Sequence, residues 1–294
     1  MKFLIAIGGK EFSEPTLQVG LVVAKAFNAT TTIAYVGSKV NAFTADSVRL
    51  AQESMERWEI EQPGVEVLEW AYKFLSKNKY IDPLSIEAGF QKNTLVETAV
   101  NRLQLFLSGT FCENVELILR RGDIIPELRS EVEAHNYDVT IIGGSQKRRM
   151  AHDLVQYIDS SIFVVNNFDD SKKYKLLLAV DDSKGTSNAV SYGVRVAKAF
   201  KMSVDVVTVS KKEHFGKGYR DAHMRALKVL EQENIQATSH LKVGDPVKTI
   251  KDSAGEDHII VMGVSHKNPI TKFLFASKPL KVMDECECPV LIVK

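Results

Sequence analysis

What this sequence of 294 residues has little of removes several chemistries at once. It contains three cysteines, Cys112, Cys286 and Cys288, too few and too poorly spaced for a disulfide framework or a zinc site. Cys286 and Cys288 approach a strand at alternate positions and read as packing residues, so no metal ligand is assigned. No apolar run nears the roughly 18 residues of a membrane span, and the apolar start is too short for a secretory leader. A cytoplasmic protein without a membrane partner is expected. Formal net charge is +1, which supplies neither a basic field for nucleic acid nor an acidic tail. There is no Walker Gly-Lys-Ser/Thr, and no Ser/His/Asp or Cys/His set stands at a usable spacing. No catalytic residue is assigned, because nothing pairs a general base with an acid.

What is present is ample core, 45% hydrophobic against 26% charged residues, and an internal duplication. Residues 2–36 lie over 175–209 at a constant offset without a gap. Lys2/Lys175, Leu4/Leu177, Ala6/Ala179 and Gly20/Gly193 are identical, as is Val23–Phe27 over Val196–Phe200. Further along, Gly122-Asp123 matches Gly244-Asp245, Gly143 matches Gly263, and Ile162–Val165 matches Val290–Val293. Matches that keep one order along the chain mark a repeat of a whole folding unit. The join falls in the polar stretch Asn166–Lys173, giving a first domain over 1–168 and a second over 169–294. Short apolar runs alternate with helical periods in each, the pattern of a parallel sheet covered by helices on both faces.

The copies differ in the middle. Val36 and Gly122 are 86 positions apart, whereas Val209 and Gly244 are 35 apart. The excess, about residues 40–108, reads as a helical insertion with stretches at Ala45–Trp58, Val67–Lys77 and Leu95–Leu107. An extra helical layer over the sheet is the plainer role for it, and a lid or partner-binding face the functional one.

The second copy organises the functional question. Its first strand ends in Ala179-Val180-Asp181-Asp182-Ser183, its second in Val207-Thr208-Val209, and its last is Cys288–Val293. With the Gly244-Asp245-Pro246 turn, these residues resemble the universal stress protein family, and the resemblance covers both halves in tandem. It implies an α/β fold of two doubly wound parallel five-stranded sheets, adenine nucleotide alpha hydrolase-like, with strand order 3-2-1-4-5. It also implies a stress-response role and, for ATP-binding members, the motif Gly-x-x-Gly, nine residues, then Gly-Ser/Thr. Here Gly263 supplies the first glycine, His266 and Ala276 replace the other two, and Ser277 follows. Lys278 adds a cation, while Pro279 removes one backbone donor. The resemblance therefore nominates Val180, Asp181, Asp182, Val209, Met262, Gly263, His266, Ser277 and Lys278 as a site for ATP or another adenine nucleotide, with Mg2+ accompanying it. Enzymic activity beyond slow ATP hydrolysis is not expected.

In the first copy Gly8 stands at the Asp181 position and Lys10 at the Ser183 position. Beyond Gly143 the chain is about six residues too short for the phosphate loop and its helix. Lys147-Arg148-Arg149 reads as a solvated basic loop, and the first domain as structural. Two other readings stand beside nucleotide binding. One is an interaction module recognising a protein partner through the insertion. The lesser one is an ATP pyrophosphatase-like enzyme, from Gly8-Gly9-Lys10-Glu11-Phe12-Ser13 after the first strand. The family resemblance further implies that the last strands, Ile162–Val165 and Val290–Val293, pair antiparallel within one chain. A further homodimer is compatible with that pairing.

Overall fold

The computed structural model describes residues 1–37, 64–90, 95–144, 148–264 and 278–294. The first half contains β1 (Lys2–Ile7), α1 (Lys10–Ala26), β2 (Thr30–Gly37), α2 (Val65–Lys77) and α3 (Pro83–Ala88). It continues through β3 (Val96–Ala99), β4 (Arg102–Ser108), β5 (Asn114–Arg121), α4 (Ile124–His135), β6 (Val139–Gly143), α5 (Arg148–Tyr157) and β7 (Ser161–Val165). The second half runs β8 (Lys175–Ala179), α6 (Gly185–Phe200), β9 (Val204–Ser210), α7 (Lys217–Gln232) and β10 (Ala237–Val243). It closes with α8 (Pro246–Ala254), β11 (His258–Gly263), α9 (Lys278–Glu285) and β12 (Val290–Val293).

All described strands form one sheet, in the order β10-β9-β8-β11-β12-β7-β6-β1-β2-β5-β4-β3. Each half contributes five parallel strands in the expected 3-2-1-4-5 order. The halves meet where β12 pairs antiparallel with β7, Leu291 opposite Phe163 and Ile292 opposite Ile162. Both strands are buried throughout, as apolar strands covered on both faces must be. Next to this seam the Lys294 ammonium reaches the carbonyls of Val155 (3.0 Å) and Ile158. A cation at the end of α5 satisfies carbonyls that have no partner within the helix.

Strand alternation sends side chains to two cores, one on each face. Phe3, Ile5 and Ile7 of β1 join α1, α2, α6 and α7 on one face. Leu4 joins α4, α5, α8 and α9 on the other. The halves therefore touch in three layers, because α1 also packs on α6 and α5 on α9. The repeated Gly-Asp turn has a backbone reason. Gly122 and Gly244 lie at φ of 157° and 155°, where a side chain would be strained. Each N–H donates to the end of the second strand, to Gly37 (3.0 Å) and Ser210 (2.9 Å).

The insertion corrects one expectation. Residues Val67–Lys77 are helical as the periodicity predicts, and Ala45–Trp58 lies outside the described residues. Leu95–Leu107, expected to be a helix, is instead a β-hairpin, with β4 antiparallel to β5 and β3 antiparallel to β4. The reason is a period of two. Leu103, Leu105 and Leu107 face the first core. Arg102 and Gln104, both buried, point the other way. Asn101, at φ 60°, makes the turn, a conformation asparagine adopts more readily than most residues.

Arg102 is held by Glu131 on α4, Nε to Oε2 at 3.0 Å and Nη2 to Oε1 at 3.0 Å, and also donates to Gln104. Arg120 of β5 donates to Glu131 Oε2 at 2.8 Å. The Tyr137 hydroxyl donates to Oε1 at 3.1 Å. A carboxylate with no exposed surface thus has two guanidinium partners, which is what makes burying its charge tolerable.

Candidate functional site at the strand ends

In the C-terminal half β8 ends at Ala179, and the chain turns through Val180, Asp181 and Asp182 into α6. The turn is fixed by side-chain oxygens. Asp181 Oδ1 accepts from the Ser183 N–H at 3.0 Å and from the Ser183 hydroxyl at 2.5 Å. The Thr186 hydroxyl lies 2.9 Å from both the carbonyl and Oδ1 of Asp181, and accepts the Asp181 N–H at 3.3 Å. Ser183 and Thr186 thus set the carboxylate at the outer end of the central strand, where strand order reverses and ligands of such sheets bind.

Around Asp181 the remaining nominees divide. Val180 and Met262 are buried, and Val209 and Gly263 are half-buried. Asp182 is exposed and packs on the start of α7, where a Cβ built on Gly218 would lie 3.1 Å from the Asp182 Cβ. Lys278 is exposed and opens α9. His266 and Ser277 lie outside the described residues. Val180, Asp181, Asp182, Val209, Met262 and Gly263 come together at one end of β8, β9 and β11.

Sequence reasoning missed Thr186 and Tyr219. Burial first, and then the negative charges of Asp182 and Asp181, push the Tyr219 hydroxyl above its ordinary range, so it remains a neutral donor beside them. The signal for Thr186 lay in the repeat, because Ser13 occupies the same place in the first copy. There the Gly8 N–H donates to Ser13 Oγ at 2.8 Å, just as Asp181 bonds to Thr186. The turn survives while its carboxylate is gone. The two copies also close alike, with Gly144 N–H on Val165 O and Val264 N–H on Val293 O, each 2.8 Å.

Where the first copy lacks those carboxylates, the structure holds a cavity of about 480 Å3. Ala6, Ala34, Val36 and Ile142 line it from the strands, and Ile124 and Leu128 from α4. Gly8, Gly9, Gly143 and Gly144 contribute backbone, and Ser13 and Thr16 contribute hydroxyls from α1. Asn167 and Phe168 reach it from the connection between the halves. Composition does not mark such a space, which lies beside glycines.

The two-copy, doubly wound parallel sheet defines a tandem α/β class of fold. Residues 174–294 match the model of the universal stress protein family. A universal stress protein of Helicobacter pylori is 26% identical over 136 residues, covering 40% of this chain and 98% of that protein. The solved universal stress protein of Archaeoglobus fulgidus DSM 4304 matches the whole chain at a TM-score of 0.59. It shows 16% identity, with 98% of its own chain covered. A functionally unknown protein of Pseudomonas aeruginosa PAO1 also matches the whole chain, at a TM-score of 0.58 and 13% identity, with 92% of it covered. These likenesses establish the fold across both halves. No described helix is long and apolar enough to cross a membrane.

Proposed function

We propose that the C-terminal half binds an adenine nucleotide at the ends of β8, β9 and β11, and that the protein uses it as a regulatory ligand in a cytoplasmic stress response. The observation carrying this reading is the Asp181 carboxylate, fixed by Ser183 and Thr186 at the strand-order reversal. The adenosine end of such a ligand fits the residues present. A half-exposed carboxylate accepts hydrogen bonds from ribose hydroxyls, and half-buried Val209 offers an apolar edge to a base. Lys278 holds an exposed cation at the start of α9. Among the described residues no cluster of three or more His, Cys, Asp or Glu could hold a metal ion. Mg2+ would accompany the phosphates of such a ligand.

The test is direct. Purified protein is denatured and the supernatant assayed for adenine nucleotide, and thermal shift is recorded with Mg-ATP. Asp181→Ala is expected to abolish both signals with little change in melting temperature of the unliganded chain. Absence of both signals in the native protein counts against nucleotide binding.

A second reading, recognition of a protein partner by the insertion, is favoured by one feature. Leu84, Ile86, Val96, Val100 and Phe106 are all exposed there, on α3 and the hairpin rather than on a third helix.

A further inference from the structure

The cavity of the N-terminal half stands apart from the nucleotide reading, and its chemistry is different. Its volume lies within the roughly 300–1,000 Å3 of small-molecule sites, which are mostly apolar with a few placed polar groups. No Asp, Glu, Lys, Arg or His is among its described lining residues. Among these described residues a polyphosphate would meet no cation, and an unpaired buried charge costs far more than a neutral polar group. The polar side chains offered, Ser13, Thr16 and Asn167, are all neutral.

The wall at Phe168 is braced. Its ring stacks on Tyr174 with centroids 4.9 Å apart and planes 12° from parallel, and tilts against Phe200 at 6.3 Å. The Tyr174 hydroxyl accepts the Asp169 N–H at 3.0 Å and donates to the Asn167 carbonyl at 3.3 Å. The connection between the halves is thereby folded into a fixed loop, which sets an aromatic side chain at a cavity beside the ends of β1, β2 and β6. Ligands of doubly wound sheets seat at such strand ends.

We propose that this cavity binds an uncharged, largely apolar ring compound, seated against Phe168 with its polar edge toward the Gly8–Gly9 and Gly143–Gly144 backbone. Phe168 lies in the chain between the halves and touches Phe200 of α6. Occupancy therefore acts on the contact between the first half and the second.

The full-length protein is titrated with 1-N-phenylnaphthylamine, a neutral ring probe whose emission rises on leaving water. Saturable binding to one site is expected. Val36→Trp, which fills the cavity from β2, is expected to weaken it about tenfold or more. Gly9→Leu is a second filling variant, at a position where an added Cβ meets no neighbour within 4 Å. Melting curves establish which variants fold, and either folded variant decides the matter. Asp181→Ala retains full probe binding, which separates this site from the nucleotide site. Emission that does not saturate, or affinity unchanged in a folded filling variant, overturns the proposal. Displacement of the probe by ATP overturns the restriction to uncharged ligands.

Discussion

Phe27, closing α1 in the first half, meets Tyr192 on α6 of the second with ring centroids 5.0 Å apart. Arg195 lays its guanidinium carbon 4.8 Å from the centre of the same ring, and Phe3 packs behind it at 5.3 Å. The repeat equivalent of Phe27 is Phe200, which braces Phe168 instead. One residue type at one repeat position thus serves two contacts, both tying the halves together.

Phe27→Ala is expected to cost about 3–5 kcal/mol, the usual range for deleting a buried phenyl ring. Urea unfolding followed by circular dichroism measures it. Because the ring is shared, the whole transition is expected to move rather than one half of it. A midpoint that does not shift would show that this contact contributes nothing to joining the halves.

Gly185 and Gly263 press backbone on backbone. A Cβ built on Gly263 would stand 2.4 Å from the Gly185 carbonyl oxygen, and one on Gly185 would stand 2.4 Å from the Val264 carbonyl oxygen. In a helix or a strand, alanine is ordinarily better than glycine by roughly 0.5–1 kcal/mol. Here the sign reverses, and Gly185→Ala and Gly263→Ala are each expected to destabilise by about 1–3 kcal/mol through overpacking. A higher melting temperature in either variant would contradict the close approach.

The scaffold was legible because the repeat multiplies weak signals. Strand ends, the Gly-Asp turn and the final strands each occur twice in one order, and hydrophobic periodicity supplied the rest. The hairpin was not, because Leu103, Leu105 and Leu107 fit a crowded helical stretch unless the alternation with Arg102 and Gln104 is weighed. Glu131, the partner that makes those polar residues burial-compatible, is distant in sequence. Of the candidate site, Asp181 and Gly263 were nominated by the family resemblance. Tyr219 was not, because only the approach of α7 to Asp182 brings it there. The cavity was hidden for a related reason, since an empty volume has no residue to mark it.

Glu131 tests the hairpin's anchorage. Burial alone would raise its pKa, but Arg102, through its hydrogen bonds and charge, together with His135 and Arg120, holds the carboxyl below its ordinary range. A depressed carboxylate adds stability that is present above the unfolded value near 4.5 and lost as pH falls through the folded value. Glu131→Gln leaves the buried Arg102 guanidinium short of its counter-charge, while Arg120 keeps its ion pair with Glu127, and is expected to cost about 3–5 kcal/mol at neutral pH. Its stability profile between pH 6 and 3, measured by urea titration, should also be flatter than that of the unaltered protein. An equally steep profile would assign the acid sensitivity to other carboxylates.

His223 on α7 is expected to add a pH dependence nearer neutrality. It is buried, and its ring nitrogens lie 2.9 Å from the Thr208 hydroxyl and 2.7 Å from the Ser239 hydroxyl. Thr208 gives its proton to the Val180 carbonyl at 3.0 Å, so its oxygen must accept from His223 Nδ1–H. Nε2 is then the acceptor for Ser239. Burial first, and then the charge of His240, lower the His223 pKa below 6.5. With the folded value depressed, the folded chain resists a proton that the unfolded chain takes up. Stability is therefore full above about pH 6.5 and declines as pH falls below it, levelling once the folded value is passed. His223→Gln, which keeps a polar group but cannot titrate, is expected to lower stability at pH 8 and to flatten its fall from pH 7 to 5. Melting temperatures across that range measure both effects, and an unchanged slope would place the titration elsewhere. Since the chain of hydrogen bonds ends on the carbonyl of Val180, beside Asp181, the same variant should also weaken any Mg-ATP thermal shift more at pH 8 than at pH 5. At pH 8 the native chain of donors is intact, whereas at pH 5 protonation has already altered it.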